Sequence, residues 1–360
     1  MIFKNLDQSM KFLFYLGHPA HFHLFRNVIF KLRLHGHEVK ILIKTKDVLE
    51  QLLIDSGWEY LNILPKGRKN GKISIALGLI KRDKMLWHLT RSWKPDLMAG
   101  TSVEIAQIGW LRGIPSISVN EDDWNVVPYF SWFVYPFCTR ILAPTSCNTG
   151  RWHGKTIAYS GYHELAYLHP DYFTPDPSVA KSLYQGQQRY FILRFAQLTA
   201  HHDAGISGLH EGFIKEIIEI LKPHGAIHIT SERPLEHQFE QYRINIKPLD
   251  MHHALAFADL YIGDSQTMTA EAAVLGTPAL RFNDFAGRIG YLEELEHRYQ
   301  LTFGFRSDQS TELLSTLNEL LTMKNCKLVW KNRQEKMLTD KIDVTNFMTN
   351  IFENLARKRQ

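Results

Sequence analysis

The stretch YIGDSQTMTAEAAVLGTPALRF, residues 261–282, reads as a strand, a turn, a short helix, a second turn and a second strand. The first strand ends at Asp264 and Ser265, and either side chain is of the kind that caps a helix by accepting from its first-turn amides. Gly276 stands where a helix stops, and Pro278 opens the return strand. Strand, short helix and strand in this order are a unit of a parallel α/β sheet. The unpaired amides of such a helix start, together with the helix dipole, form an anion site. Gln266 and Thr267 lie in that first turn, and Thr267 and Thr269 add hydroxyls. Glu271 is the one acid of this small-residue helix. It stands six residues after Ser265, whereas a capping box needs a spacing of three. It shares a helix face with Thr267. Two readings follow: Glu271 faces solvent, or it accepts from the two hydroxyls of a ribose whose diphosphate lies at the helix start.

Outward from this stretch the same alternation repeats. In the first half MKFLFYLG, EVKILIKT, KPDLMAGTS and IPSISVNED read as strands. Between them fall a helix with Phe25, Val28, Ile29 and Leu32 at helical spacing, and the helices KDVLEQLLIDSG and VEIAQIGWLRG. In the second half RYFILRFA, AIHITSE, INIKPL, ADLYIGD and TPALRFN read as strands and LHEGFIKEIIEILKPHG as a helix. Pro170, Pro175 and Pro177 interrupt the pattern and mark a domain junction. The expected architecture is α/β: two Rossmann-like domains, 11–168 and 169–335, facing across a cleft, with ligands at the carboxyl ends of the strands. A helix within 336–360 is expected to pack back on the first domain. PYFSWFVYPFCTRILAP, 128–144, reads as a core helix and strand, with a membrane-touching surface as the second reading; Pro136 and Arg140 do not suit a span.

The chain of 360 residues is long enough for two cores. A hydrophobic share of 44% with 22% charged residues describes a soluble globular protein and excludes a disordered one. No apolar run is long enough to span a bilayer, and Phe12–Leu16 is too short for a signal-peptide core. Three cysteines without metal-ligand spacing suit a reducing cytosol, so a cytoplasmic protein is expected. The net charge of +5 is spread along the chain. Its densest patch, LPKGRKNGK with Lys66, Arg68, Lys69 and Lys72, is a solvated loop or a contact for an anionic acceptor or the inner membrane face. No helix-turn-helix or RNA-binding aromatic pattern accompanies it, which argues against nucleic acid as a partner.

The pieces GHPAHFHLFRN, GYHELAYLHP, LRFAQLTAHHD, ITSE and GDSQTMTAEAAVLGTPALR occur together. In combination they resemble domain-of-unknown-function family 354, from about residue 11 to 320, a family assigned a GT-B-like fold. The last piece is also similar to the nucleotide-sugar motif of GT-B glycosyltransferases and UDP-N-acetylglucosamine 2-epimerases. Ser265 and Glu271 match the epimerase serine and glutamate at the same separation. The resemblance implies that Asp264, Ser265, Gln266 and Thr267 hold the diphosphate of a nucleotide sugar such as a UDP-sugar, and Glu271 its ribose.

Other strand-end loops carry further candidates. GHPAHFH contains His18, His21 and His23. Imidazole titrates near neutrality, and His21 is the choice for a base at an acceptor hydroxyl. His18 and His23 cap and pack the loop or line the acceptor. No carboxylate stands at ligand spacing, so no metal is expected. LTAHHDAG offers His201, His202 and Asp203 as phosphate ligands or acids; the resemblance implies a substrate-contacting histidine there, here His202. SVNEDDW supplies Glu121 and Asp122 near the epimerases' catalytic glutamate. The chain departs from the epimerases by carrying Thr101 and Ser102 where they place an acid, with Glu104 coming late, and by His-His in place of His-Arg. In TSER, Ser231 and Arg233 suit a diphosphate or base edge, or a solvated turn; Arg194 and Arg288 are further anion candidates. The function expected is transfer of a sugar from a nucleotide sugar to a glycan or lipid-linked acceptor, in surface polysaccharide synthesis. No cofactor is implied, because helix dipoles and basic side chains stabilise the leaving diphosphate. A 2-epimerase or hydrolase is one alternative, and a non-catalytic nucleotide-sugar or polysaccharide-binding protein another.

Overall fold

In the computed structural model, which describes residues 9–65, 72–196 and 209–358, the chain divides after Tyr167. One unit comprises the residues up to Tyr167 and those from Ile342 on; the other is Leu168–Lys341. Lys66, Arg68 and Lys69 lie outside the described residues, as do His201, His202 and Asp203.

The first unit is built on β1 (Lys11–Leu16), β2 (Glu38–Lys44), β3 (Leu61–Leu64), β4 (Leu97–Gly100), β5 (Ser116–Val119), β6 (Arg140–Pro144) and β7 (Thr156–Tyr159). They form one sheet in the order β3-β2-β1-β4-β5-β6-β7, every pair parallel. A parallel sheet is covered on both faces, so its inner strands are continuous apolar runs. KFLFYL of β1 and LMAG of β4 are buried along almost their whole length. The helices are α1 (Pro19–Leu34), α2 (Leu49–Asp55), α3 (Lys72–Trp93), α4 (Val103–Arg112) and α5 (Pro128–Val134), with the short α6 (Leu165–Leu168) at the boundary. Ser102 caps α4 by accepting from the Ile105 amide, and Gly113 ends it in left-handed backbone.

The second unit contains β8 (Tyr190–Phe195), β9 (Ala226–Ser231), β10 (Leu260–Gly263), β11 (Ala279–Phe282) and β12 (Thr302–Phe305), ordered β12-β11-β10-β8-β9 and again all parallel. Its helices are α7 (Pro177–Ala180), α8 (Glu211–Leu221), α9 (Met251–Phe257), α10 (Gln266–Leu275), α11 (Gly290–Glu293), α12 (Ser310–Thr322) and α13 (Cys326–Asp340). The last helix, α14 (Val344–Arg357), belongs to the first unit. Its Val344, Met348, Phe352 and Ala356, one residue in four, form a buried stripe, and the Phe352 ring centres 5.8 Å from that of Phe14 in β1.

Three strands were not legible as strands: β3, β7 and β12. All three are four-residue edge strands. An edge is short and only half covered, so it lacks the apolar run that marks an inner strand. Conversely, INIKPL is not a strand; only Arg243, just before it, makes an isolated bridge, to Ile229. The segment 128–144 does form a helix and a strand, but α5 leaves Tyr129, Trp132 and Phe133 exposed.

One row across the second sheet alternates large cations with glycine. Arg194, Gly263, Arg281 and Gly304 stand level on β8, β10, β11 and β12. A Cβ on Gly304 would stand 2.9 Å from Nη2 of the fully buried Arg281. A Cβ on Gly263 would stand 2.9 Å from the carbonyl oxygen of Arg194 and collide with the Tyr261 hydroxyl. Because backbone has no rotamer to yield, Gly263→Ala should lower unfolding free energy by about 1–3 kcal/mol in urea titration; an unchanged midpoint would contradict this close approach.

Candidate functional site

In the first unit, polar side chains gather where the strands end. His18 starts α1, its Nδ1 accepting from the Ala20 amide at 3.2 Å. One turn on, His21 Nδ1 accepts from the Gly17 amide at 3.1 Å. That bond occupies the Nδ1 lone pair and assigns the neutral ring's proton to Nε2. Burial, with His18, Lys44 and His163 nearby, holds His21 well below the usual imidazole range, so the ring is neutral at pH 7. As placed, His21 offers an N–H rather than the free lone pair that a base requires. His23 is buried, its ring 5.1 Å from Phe22 and 5.4 Å from Tyr167, and belongs to the packing.

The acids after β5 divide by role. Asp123 is buried and accepts from the Asn148 amide at 2.7 Å, which ties down the loop. Glu121 accepts from the His163 amide at 3.3 Å, and its Oε2 lies 3.4 Å from His163 Nδ1. Burial pulls His163 down to about 4, against the pull of Glu164 and Asp122. In the preceding loop, Thr101 donates its hydroxyl to the Val119 carbonyl at 2.7 Å, and Ser102 is spent as the α4 cap. Among the described residues no group of three His, Cys, Asp or Glu is placed to hold a metal ion. His163 and Lys44 were not singled out from sequence. Lys44 left a signal: it is a cation closing the buried strand EVKILIK, and its Nζ would stand 3.6 Å from a Cβ on Gly17.

In the second unit the β10–α10 turn takes the form its residues dictate. Ser265 is the N-cap, its Oγ accepting from the Met268 amide at 3.3 Å and its carbonyl from the Thr269 hydroxyl at 2.6 Å. The amides of Gln266 and Thr267 come too early in the helix to have a carbonyl behind them. Gly276 closes α10 at φ 78°. Asp264 is not a cap. Its Oδ1 accepts from the Ala196 amide at 2.6 Å, and its carbonyl accepts from Asn283 Nδ2 at 2.8 Å. Glu271 does not face solvent: it is 4% exposed, and its Oε1 lies 2.9 Å from Nε2 of the buried His252.

Ser231 and Arg233 close a tight turn after β9, the Ser231 hydroxyl donating to the Arg233 carbonyl at 2.7 Å. The Arg233 guanidinium donates to the Leu209 carbonyl at 2.7 Å and lies 5.4 Å from the Phe195 ring centre. Arg194 pairs with Glu232 and donates to Thr230 at 2.8 Å. Arg288 is exposed and stacks on Phe285. The structure therefore groups Asp264, Ser265, Gln266 and Thr267 at one helix start. It separately groups His18, His21, Glu121 and Asp122 at the strand ends of the first unit.

Two all-parallel Rossmann-like units define a GT-B-like α/β protein, and solved structures share the arrangement. The UDP-N-acetylglucosamine 2-epimerase from Neisseria meningitidis bound to UDP-GlcNAc aligns with 97% of this chain and 100% of its own, at a TM-score of 0.63 and 15% identity. The spinosyn forosaminyltransferase SpnP aligns at 0.64 and 14% identity, over 97% of this chain and 100% of that one. The glycosyltransferase VinC in complex with dTDP aligns at 0.63 and 12% identity, over the same shares. These likenesses show the fold. No curated protein matches. The chain belongs to the family described as protein of unknown function DUF354, whose model matches residues 11–355.

The buried Asp264 carboxyl makes stability depend on pH. Burial raises it from 3.8 to about 6, against the Ala196 amide and Arg233, which lower it. Well below pH 4, at about pH 3 and lower, it is mostly protonated in folded and unfolded chains alike and costs little. As pH rises the unfolded chain ionises first, so stability falls until the folded carboxyl ionises as well. Asp264→Asn keeps an oxygen for the Ala196 amide and removes the titration. The stability of the wild type relative to this variant should therefore drop by on the order of 3 kcal/mol between about pH 4 and pH 7. Chemical denaturation at both pH values checks it, and parallel pH profiles would refute it.

Proposed function

We propose that the protein binds a nucleotide sugar at the β10–α10 turn and transfers its sugar to a glycan or lipid-linked acceptor, in polysaccharide synthesis. The observation that carries this reading is the turn itself. Ser265 caps α10, two first-turn amides are left over, and Glu271 is held against His252 on the same helix. It is supported by a fold shared with proteins solved with UDP-GlcNAc and dTDP. In this reading the amides of Gln266 and Thr267 and the Ser265 hydroxyl take the diphosphate, with Ser231, Arg233 and His202 as its further ligands. The Glu271 carboxylate accepts from the ribose hydroxyls while His252 keeps it in place.

The first unit carries the acceptor side. His21, neutral and with its proton on Nε2, donates to an acceptor or sugar oxygen. Glu121 takes the proton of the acceptor hydroxyl, and His163 positions it. The acceptor oxygen then bonds to the sugar, the bond from sugar to diphosphate breaks, and the departing negative charge falls at the start of α10, where the helix dipole stabilises it.

A second reading, a nucleotide-sugar 2-epimerase, is favoured by one observation: Glu121, His163 and Asp122 form a compact acid–base group. An epimerase that removes and restores a proton needs such a set. Against it, Thr101 and Ser102 are committed to backbone bonds in the loop where the related epimerases hold an acid.

Ser265→Ala and Glu271→Ala should each weaken UDP binding by roughly ten- to a hundredfold in calorimetry, the loss of a hydrogen bond to a charged group. Full affinity in a folded Glu271→Ala variant removes the ribose assignment. Glu121→Gln should lower turnover by roughly 10²–10⁴-fold with nucleotide affinity retained. Incubation in deuterated water separates the two activities. A transferase leaves the recovered nucleotide sugar unlabelled and releases nucleoside diphosphate only with acceptor present; deuterium at the sugar's second carbon without acceptor establishes the epimerase.

A further inference from the structure

The first unit presents an apolar face that its own core does not use. On α5, Ser131 and Val134 point inward. Tyr129, Trp132, Phe133 and Pro136, spaced as one helix face, are exposed, the first three by 71%, 48% and 55%. The face continues onto the end of α4, where Trp110 and Leu111 are 62% and 57% exposed. Trp110 stacks edge-on to Phe137 at 5.5 Å, and Gln107 donates to the Phe133 carbonyl. These rings are braced outward: Trp132 lies 5.3 Å from Trp152 and carries the Arg151 guanidinium 4.7 Å above it.

The charged side chains on the segments that expose this face are basic. Residues 105–120 and 124–163 contain no Asp or Glu, while Arg112, Arg140, Arg151 and Lys155 fall within them. Arg140 and Arg151 are exposed. Lys155 donates to the carbonyls of Tyr135, Pro136 and Cys138 and so closes the end of α5. A second copy docked by a two-fold axis would bring these arginines against each other, with no acid from the same segments to answer them. Amphipathic Trp and Tyr rings ringed by arginine match instead the headgroup layer of a bilayer with anionic lipid. No described helix is long and apolar enough to cross a membrane, which leaves contact from one side.

We propose that the α4–α5 face, Trp110, Tyr129, Trp132 and Phe133 with Arg140 and Arg151, docks the protein on an anionic lipid bilayer. This stands apart from the nucleotide-sugar reading, and its test uses no substrate. The full chain is sedimented with vesicles of phosphatidylcholine alone or mixed with phosphatidylglycerol. Binding is expected to the mixed vesicles only, and it should weaken with salt. Arg140→Glu should reduce partitioning about fivefold or more, and Trp132→Ser with Phe133→Ser about tenfold or more. These side chains are exposed, and an unchanged thermal melt verifies that the variants fold. Brominated lipid should quench the tryptophan fluorescence of the unaltered protein, a reading that needs no variant. No binding to mixed vesicles, equal binding by the Trp132/Phe133 variant, or binding without quenching overturns the proposal. So does a dimer that Phe133→Glu converts to monomer while anionic vesicles stay unbound, which assigns the face to a second copy.

Discussion

Asp264 ties together the ends of three neighbouring strands, and the geometry of the candidate nucleotide site depends on that tie. Its carboxylate holds the amide just after β8, and its carbonyl holds the Asn283 side chain just after β11. Between them β10 ends and α10 begins. With those ends fixed, Ser265 can cap α10 at one place only, and Glu271 rises from the helix opposite His252. The cost is a buried carboxyl, held protonated to an unusually high pH by its loss of hydration. An acid that is neutral in mildly acidic solution, directly before a helix start, opposes a bound anion less than an ordinary aspartate does.

The strand row beside this tie is equally constrained. Gly304 leaves room for the Arg281 guanidinium, and Gly263 for the Arg194 backbone and the Tyr261 hydroxyl. Arg194 is satisfied by Thr230 and Glu232 on the β9 side. Arg281 lies 3.7 Å from Glu293, with Glu296 also close enough to favour its charge. The sheet therefore carries cations inside it, level with the last residue of β10.

The first unit solves a different problem. Its inner strands are covered on both sides, so side chains that are to do chemistry must stand at the strand ends. There His21 and His163 are dehydrated and neutral, and the Gly17 amide places the His21 proton on Nε2. Glu121 is held against His163, which in turn lies near the neutral His21. Meanwhile α5 is short and turns Tyr129, Trp132 and Phe133 outward, while Phe130 packs inward with Ser131 and Val134. That orientation is the basis for assigning it to a lipid surface.

The sequence by itself determined the inner strands, because a doubly covered strand must be a nearly unbroken apolar run; FLFYL of β1 and LYIG of β10 are of this kind, while ALRF of β11 is interrupted by the buried Arg281. It also determined the β10–α10 turn, because capping residues, a left-handed glycine and a proline act through their immediate neighbours. Tertiary structure alone decided the rest. The edge strands β3, β7 and β12 are strands because a neighbour is there to pair with them. Whether Asp264 or Ser265 caps α10 was settled by the Ala196 amide, which lies 68 positions away. Glu271 is turned away from solvent by His252, 19 positions earlier in the chain. His163 is paired with Glu121 across 42 positions. The 128–144 segment has the apolar content of a core, and Tyr135 is buried, yet Tyr129, Trp132 and Phe133 point outward, because orientation about a helix axis is set by what the other face packs against. Local spacing governs backbone conformation; the partner of a buried charge, and the side of a helix that meets water, depend on residues that only the folded chain brings near.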